Sequence, residues 1–519
     1  MATTSPLLVA KNLSISFGGV RALKGIDLEI QPGEIRCLAG ENGSGKSTFV
    51  KIVSGVYQAD GGDLIIGGNE AHNHNPIKAS DAGIQVIFQD LSLFNHLSVG
   101  ENIAINQLIH RGSWRISRNR IREIAQPQLE KVGINLDLDA PVSTLSMANK
   151  QLVAICRALA MDAQLLFMDE PTTALTSREV SRLLEIVQGL KDQGLSVVFI
   201  SHKLDEVFSI ADSITVFRDG DKVGDFNAKD LDEASLSKHM TGREVSYGRY
   251  HRVHEEQAPI LEVKNLTRKS NYTDLSFDVR PGDIVGFTGL LGAGRTELAL
   301  SLFGLNKPDS GQIFVEGKEV KISAPWDAMA QGIALVPENR LEQGLFGNQS
   351  VAENISVAVP DLVSNSLGIL RPTSVQELSQ QVVHDMGVNN KSTDVKISIL
   401  SGGNQQKVVI GKWMLWNPRI LVLDSPTVGI DIGSKAEIYD RIHTLASKGI
   451  GVIFISDEVE EVVANCNRVF VMHEGEVLRE FREEGMKAKD FRATLADLIA
   501  NPDSVSAEAA SVPTGKVGE

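Results

Sequence analysis

Short apolar runs alternate with amphipathic stretches along the chain, and the two spacings demand different elements. "EIRCLAG" is a compact apolar run ending in glycine, and "QLLFMD" and "LSVVFIS" are further runs about as long as one buried parallel strand. "KSTFVKIVSGV" places Phe49, Val50 and Val53 at helical spacing, while "NKQLVAICRALA" and "SREVSRLLEIVQGLKDQG" read as longer helices. Strands alternating with helices predict an α/β core. No apolar run approaches the roughly 20 residues that span a bilayer, and the first residues, "MATTSPLLVAKN", lack a basic region followed by an apolar core. The chain is expected to be soluble, meeting a membrane only through a partner.

The pattern occurs twice. "IQPGEIRCLAGENGSGKST" (30–48) matches "VRPGDIVGFTGLLGAGRTE" (279–297), "GIQVIFQ" matches "GIALVPE", and "LSMANKQ" matches "LSGGNQQ". "LLFMDEPT" is echoed by "ILVLDSPT", and "SVVFISHKLDEV" by "GVIFISDEVEEV". A repeat of this length is a duplicated domain. The expected organisation is a first domain over 1–245, a linker over 246–258, a second domain over 259–500 and a disordered tail over 501–519. The seam "REVSYGRYHRVHEEQAPI" is polar with mixed charges, and the tail is small and polar.

Composition narrows the function classes. The chain has 519 residues, too many for one ordinary core, and 51 Lys+Arg against 66 Asp+Glu leave a net charge of −15. That charge repels phosphate backbones and argues against nucleic-acid binding. Cys37, Cys156 and Cys466 lie far apart without metal-ligand spacing and are expected to be buried small hydrophobes.

"GENGSGKS" fits G-x-x-x-x-G-K-[ST] and lies between a predicted strand and a predicted helix, the context of a phosphate cradle. Gly40, Gly43 and Gly45 let backbone N–H groups approach phosphates, with Glu41, Asn42, Ser44 and Thr48 completing the loop. Lys46 can neutralise the β- and γ-phosphates, and the Ser47 hydroxyl can ligate Mg²⁺. Asp169 ends an apolar strand where it can hold the metal's water shell, and Glu170 beside it can polarise an attacking water.

With "LSGGNQQ" (400–406) shortly before a second such strand, the sequence resembles the nucleotide-binding subunits of ATP-binding-cassette transporters over nearly its whole length. The resemblance implies two tandem P-loop NTPase domains, each with an α/β core, a small antiparallel β subdomain and a helical subdomain. It also implies that Phe17 is the aromatic platform for adenine. Gln89 becomes the loop glutamine that senses Mg²⁺, and His202 the switch histidine on the γ-phosphate.

Cassettes of this family pair head to tail, so each ATP lies between the phosphate loop of one and the signature of the other. Site one then takes Lys46, Ser47, Gln89, Asp169, Glu170 and His202 from the first half, with Ser401, Gly402, Gly403, Asn404 and Asp431 from the second. Site two takes the loop of Gly289, Gly292, Gly294, Arg295 and Thr296, with Asp424, and has Glu338 for the glutamine, Ser425 for the general base and Asp457 for the histidine. Its signature begins at Ser146, but Met147 and Ala148 replace two glycines. Every departure falls on site two, which is expected to hydrolyse little because a serine hydroxyl cannot take a water's proton as a carboxylate does.

Fused cassettes of this length with "GLLGAGRTEL", "VPENR" and "LSGGNQQKV" are similar to those of bacterial importers for ribose, galactose, xylose and related monosaccharides. Such importers use ATP and Mg²⁺, two separate permease subunits and a periplasmic sugar-binding protein, with the ATPase on the cytoplasmic face of the cell membrane. Asn339 and Ser425 depart from the pattern of those relatives. The competing readings are a soluble twin-cassette ATPase acting on ribosomes or nucleic acid, whose usual long charged linker is missing, and an ATP-dependent switch with no transport role.

Overall fold

In the computed structural model, residues 5–71, 74–110, 116–172, 175, 177–201, 203–243, 249–252, 257–290, 292–390, 392–488 and 491–502 are described. The chain divides into two compact units, Met1–Val245 and Ser246–Glu519.

The first unit is built on a six-stranded sheet in the order Asp221–Asn227, Ser213–Arg218, Ile35–Ala39, Ser196–Ile200, Leu165–Asp169, Ile84–Ile87. Its pairings are parallel except at the Asp221–Asn227 edge. Ile35–Ala39 and Ser196–Ile200 are buried at every position, as strands covered on both faces must be. Leu165–Asp169 is buried until its last residue, so the fold delivers the Asp169 carboxylate to the carboxyl-terminal edge of the sheet, where ligands of such sheets bind. A four-stranded antiparallel sheet follows the order Val20–Ile30, Leu8–Phe17, Gly61–Ile66, Asn69–Glu70. Three helices, Val99–His110, Arg118–Val132 and Met147–Leu159, pack on one another as a helical region.

The second unit repeats the plan. Its main sheet runs Ile333–Val336, Ile420–Asp424, Gly451–Ile455, Ile284–Gly289, Arg468–His473, Glu476–Arg482, the same order of corresponding strands read from the other edge. Alternation divides the core into two layers. Ile420 and Val422 join the cluster that holds Leu298 and Leu302 of the phosphate-loop helix, whereas Leu421 and Leu423 join the cluster that holds Val408 and Ile410 of the signature helix.

Between the sheet and the helical region, each unit uses one buried asparagine twice. Asn102 accepts from the Phe94 amide at 2.9 Å and donates to the Phe94 carbonyl at 3.0 Å. Asn354 does the same for Phe346 at 2.8 and 3.1 Å. Both asparagines are fully buried and both phenylalanines are exposed, so the loop is fixed while its aromatic ring faces outward.

The seam differs from a plain linker. Tyr250 is 5% exposed within the second unit's core, and its hydroxyl donates to the Gly282 carbonyl at 2.7 Å. Arg252 lies 3.4 Å from buried Asp283. Polar composition suggested solvent, but one aromatic ring and one cation suffice to dock the strand of chain that carries them. Most of the expected tail, 503–519, lies outside the described residues. All three cysteines are free and buried, and burial pushes their thiols up, that of Cys156 to about 12. No helix among the described residues is long and apolar enough to cross a membrane.

Candidate nucleotide sites

The first phosphate loop joins Ile35–Ala39 to the helix Lys46–Val53. At Gly40 the backbone has φ 152°, and an added Cβ would lie 2.3 Å from the Phe217 carbonyl. Glycine is required there by both conformation and space. Gly43 and Gly45 also take positive φ, Glu41, Asn42 and Thr48 are at least partly exposed, and Ser44 is buried beneath the turn. The Lys46 side chain is 6% exposed, and its ammonium donates to the carbonyls of Gly40 at 2.7 Å and Glu41 at 2.9 Å. The cation is thus held at the mouth of its own loop, at the start of a helix.

Across from it, burial raises the Asp169 carboxyl above the usual range, while the Ser47 hydroxyl bond and Lys46 pull it down. Ser47 and Asp169 are therefore near one another, and their hard oxygens would suit a magnesium ion. Glu170 follows with φ 47°, a strained conformation for a side-chain-bearing residue, and its amide donates to Ile200 at 3.0 Å. Gln89 reaches it from the neighbouring loop, its amide 3.4 Å from the Glu170 carboxylate. Gln89, Asp169 and Glu170 thus lie together at the carboxyl-terminal edge of the sheet. His202 lies outside the described residues.

Two groups escaped the sequence reading. Buried Glu206 accepts from Thr172 and from Ser201, tying the loop after Glu170 to the residue before His202. The signal was the acidic position shared by "KLDEV" and "EVEEV". Tyr57 is the other. Its ring centroid lies 5.2 Å from that of half-exposed Phe17, so the proposed adenine platform is a pair of rings.

In the second unit the loop glycines Gly289, Gly292 and Gly294 also take positive φ, at 150°, 81° and 91°. Its chemistry differs. Arg295 is 9% exposed, and a guanidinium nitrogen donates to the Leu290 carbonyl at 3.3 Å. Burial lowers its hold on its proton, and Asp457, Asp424, Glu338 and Glu297 oppose that effect. Arg295 thus lies in the field of four carboxylates without an ion pair to any of them among the described residues, and Glu297, which stands where the first loop has Thr48, adds to the expected set. Thr296 donates to Asp424 at 3.3 Å, and burial raises that carboxyl to about 6. Ser425 takes φ 45° and donates its amide to Ile455, so the backbone seen at Glu170 is kept without a carboxylate.

The signature helices begin differently. Ser146 folds back on the helix Met147–Leu159, its hydroxyl accepting from the Asn149 amide at 3.3 Å. Ser401 makes no such cap on Gly402–Met414; it accepts from the Asn404 side chain at 2.9 Å and stays exposed. The hydroxyl is therefore presented outward at the positive end of a helix. A Cβ on Gly403 would lie 2.4 Å from Cβ of Ser434, so the second glycine lets this helix approach the helix Ile432–Ser447 closely. Asp431 caps that helix by accepting from Ser434 at 2.8 Å. Within the second unit Ser401, Gly402, Gly403, Asn404 and Asp431 thus occupy the start of the signature helix and of the helix beside it, whereas in the first unit Met147 and Ala148 stand where the close approach is made.

Comparison with known proteins shows the family. The model of the ABC transporter family matches residues 23–173 and 272–428, one stretch in each unit. The chain is 42% identical to the ribose import ATP-binding protein RbsA 2 of Rubrobacter xylanophilus, over 97% of each chain. It is 38% identical to the ribose import ATP-binding protein RbsA of Geobacillus kaustophilus, over 92% of this chain and 96% of that one. Among solved structures, an ATP-binding cassette of an ABC transporter in its ADP conformation is 24% identical, with a TM-score of 0.42 over 46% of this chain and 100% of its own. A family match in each unit, together with relatives matched along nearly its whole length, places this chain in the ABC transporter family as an ATP-hydrolysing subunit with two cassettes.

Proposed function

We propose that the chain energises import of ribose or a related monosaccharide. It would do so from the cytoplasmic face of the cell membrane, bound to two separate permease subunits that a periplasmic sugar-binding protein supplies. The observation that carries this reading is the similarity over nearly the full length to proteins named for ribose import. Exposed Phe94 and Phe346, each held out by its buried asparagine, are suited to seat a permease segment. Action on ribosomes or nucleic acid has no such support, and the net charge of −15 opposes it. The proposed domains are 1–245 and 259–500, joined by 246–258, with a tail over 501–519.

In the proposed mechanism the two cassettes close head to tail on ATP. Lys46 and the loop amides hold the β- and γ-phosphates, Phe17 with Tyr57 supports adenine, and Ser401, Gly402, Gly403, Asn404 and Asp431 complete the site from the second cassette. Ser47, Gln89 and Asp169 would hold Mg²⁺, which neutralises charge on phosphate oxygens when bound. Glu170 takes the proton of the attacking water, and His202 orients the γ-phosphoryl group. Closure is needed for hydrolysis, and hydrolysis releases it, so the cycle moves the attached permease. At the second site the missing base, the carboxylates around Arg295 and the blocked signature at Ser146 leave little turnover.

Glu170→Gln tests the assignment. Turnover is expected to fall by roughly 10² to 10⁴ with ATP binding retained, since only the proton acceptor is lost. Full activity would refute the role of Glu170. Co-purification with an integral membrane permease supports transport, and RNA-stimulated ATPase activity in its place would overturn it.

A further inference from the structure

Arg340 lies two residues beyond Glu338, at the start of the helical turn Arg340–Gly344 that follows the strand Ile333–Val336, and it binds none of the carboxylates near Arg295. One guanidinium nitrogen donates to the Val428 carbonyl at 2.7 Å. Its Nε lies 3.4 Å from the side-chain oxygen of Gln405, on the first turns of the signature helix. The remaining nitrogen stands 2.6 Å from where a Cβ on Gly402 would be, so that glycine is what admits the guanidinium. Gly429 is close too, its own Cβ position 3.8 Å from the same nitrogen and its carbonyl 3.2 Å from the Cβ position of Gly402. No ion-pair partner of Arg340 is found among the described residues. Its donors go to a backbone carbonyl and an amide oxygen, which fix position and leave its charge uncompensated.

The two segments it joins are the start of the signature helix and the 424–431 loop that ends in Asp431. Both have been assigned above to the site that holds ATP on Lys46. The first unit, whose signature is degenerate, has Leu91 at the corresponding position. We infer that Arg340 is a positioning residue for hydrolysis at the Lys46 site: it locks Ser401, Gly402 and Gly403 to the loop bearing Asp431, so that both reach the nucleotide as one rigid face. This rests on the composite-site reading. A planar donor fork spanning two segments is suited to the task, since a loose partner face costs rate more than ground-state binding.

The test uses the full-length chain and ATP. Arg340→Ala is expected to lower kcat about tenfold to hundredfold, the scale of a small misplacement. KM for ATP, and binding of ATP in a Glu170→Gln background, should change less than about twofold, because Lys46 is untouched. Arg340→Lys keeps one donor and should recover part of the loss. In combination with Asp431→Ala, the Arg340→Ala effect should shrink well below the product of the single effects, because both act through one loop. A kcat within about twofold of the parent, or effects that multiply in full, would overturn the proposal. If the alanine variant fails to fold, Arg340→Gln, which keeps a donor to Val428, is read in its place by the same criteria. Ser401→Ala separates the two levels: when it lowers kcat and Arg340→Ala does not, Arg340 alone is misassigned. When neither lowers it, the composite site falls and this inference with it.

Discussion

The Thr172 hydroxyl donates to the Glu206 carboxylate at 2.7 Å, across 34 residues of sequence. Ser201 donates to the same oxygen at 2.8 Å, and Lys203 lies 3.3 Å from the other. The second unit repeats the arrangement with Thr427 and Ser456 on Glu461 at 2.6 and 2.7 Å. Removing the carboxylate by Glu206→Ala strands two buried donors, at about 1–3 kcal/mol each. The expected result is a lower unfolding midpoint together with a roughly tenfold or greater drop in ATPase rate, because the loop after Glu170 loses its tie to the residue before His202. Thermal unfolding and steady-state ATPase assays check both. Parent-like values in each would remove Glu206 from the account.

Gly403→Ala places a methyl group against Ser434 and is expected to destabilise the second unit by about 1–3 kcal/mol, the usual range for overpacking. The obstructing atoms are Cβ and Oγ of Ser434, so Ser434→Gly should restore most of the loss while keeping the amide that Asp431 caps. Calorimetry on the single and double variants measures the recovery. A double variant no better than Gly403→Ala would show that close approach is not what glycine provides.

Asp424 gives the second unit a pH signature. Burial raises its carboxyl to about 6 in the fold, above the roughly 3.9 of an unfolded aspartate. The folded state therefore binds the proton more tightly, and stability falls as pH rises between those values, with the penalty complete above about 6. Asp424→Asn keeps an oxygen to accept from Thr296 and removes the charge. It is expected to stabilise the second unit by about 1–3 kcal/mol at pH 8 and to have little effect near pH 4. Denaturant unfolding at the two values decides, and equal gains at both would contradict the burial argument.

Ser425→Glu asks whether one missing base explains the second site. Glu170 and Ser425 share a left-handed backbone at φ 47° and 45°, so the substitution should fold without new strain. Arg295 with its surrounding carboxylates, and the capped Ser146, remain. In a Glu170→Gln background the expected ATPase rate stays within about twofold of that background alone, since a general base acts only on a correctly held phosphate. A large recovery would locate the whole defect at Ser425.

Much of the fold was legible because it is written in local periods. Runs such as "LLFMD" become strands buried until the final carboxylate, and Gly40 is needed at its own position for reasons of φ and space. The duplicated plan, and the serine at 425 where the first half keeps Glu170, could be read by alignment of the chain with itself. Tyr57, Glu206 and the docking of Tyr250 were not legible. Each depends on a partner brought from elsewhere by the fold, and an aromatic, a carboxylate or a polar seam looks the same in sequence whether or not that partner exists.

The sequence by itself determined the two phosphate loops, the strands behind them and which chemical groups each half had kept. Tertiary structure decided how those groups are held: that Ser146 caps its own helix while Ser401 is bonded by the Asn404 side chain, that Arg295 is buried in the field of four carboxylates, and that Glu206 and Glu461 pin the loops around the sheet edge. The reason is physical. Local spacing follows from the geometry of a single helix or strand, whereas a buried polar group is defined by its hydrogen-bond partner, and that partner is chosen only when distant segments pack.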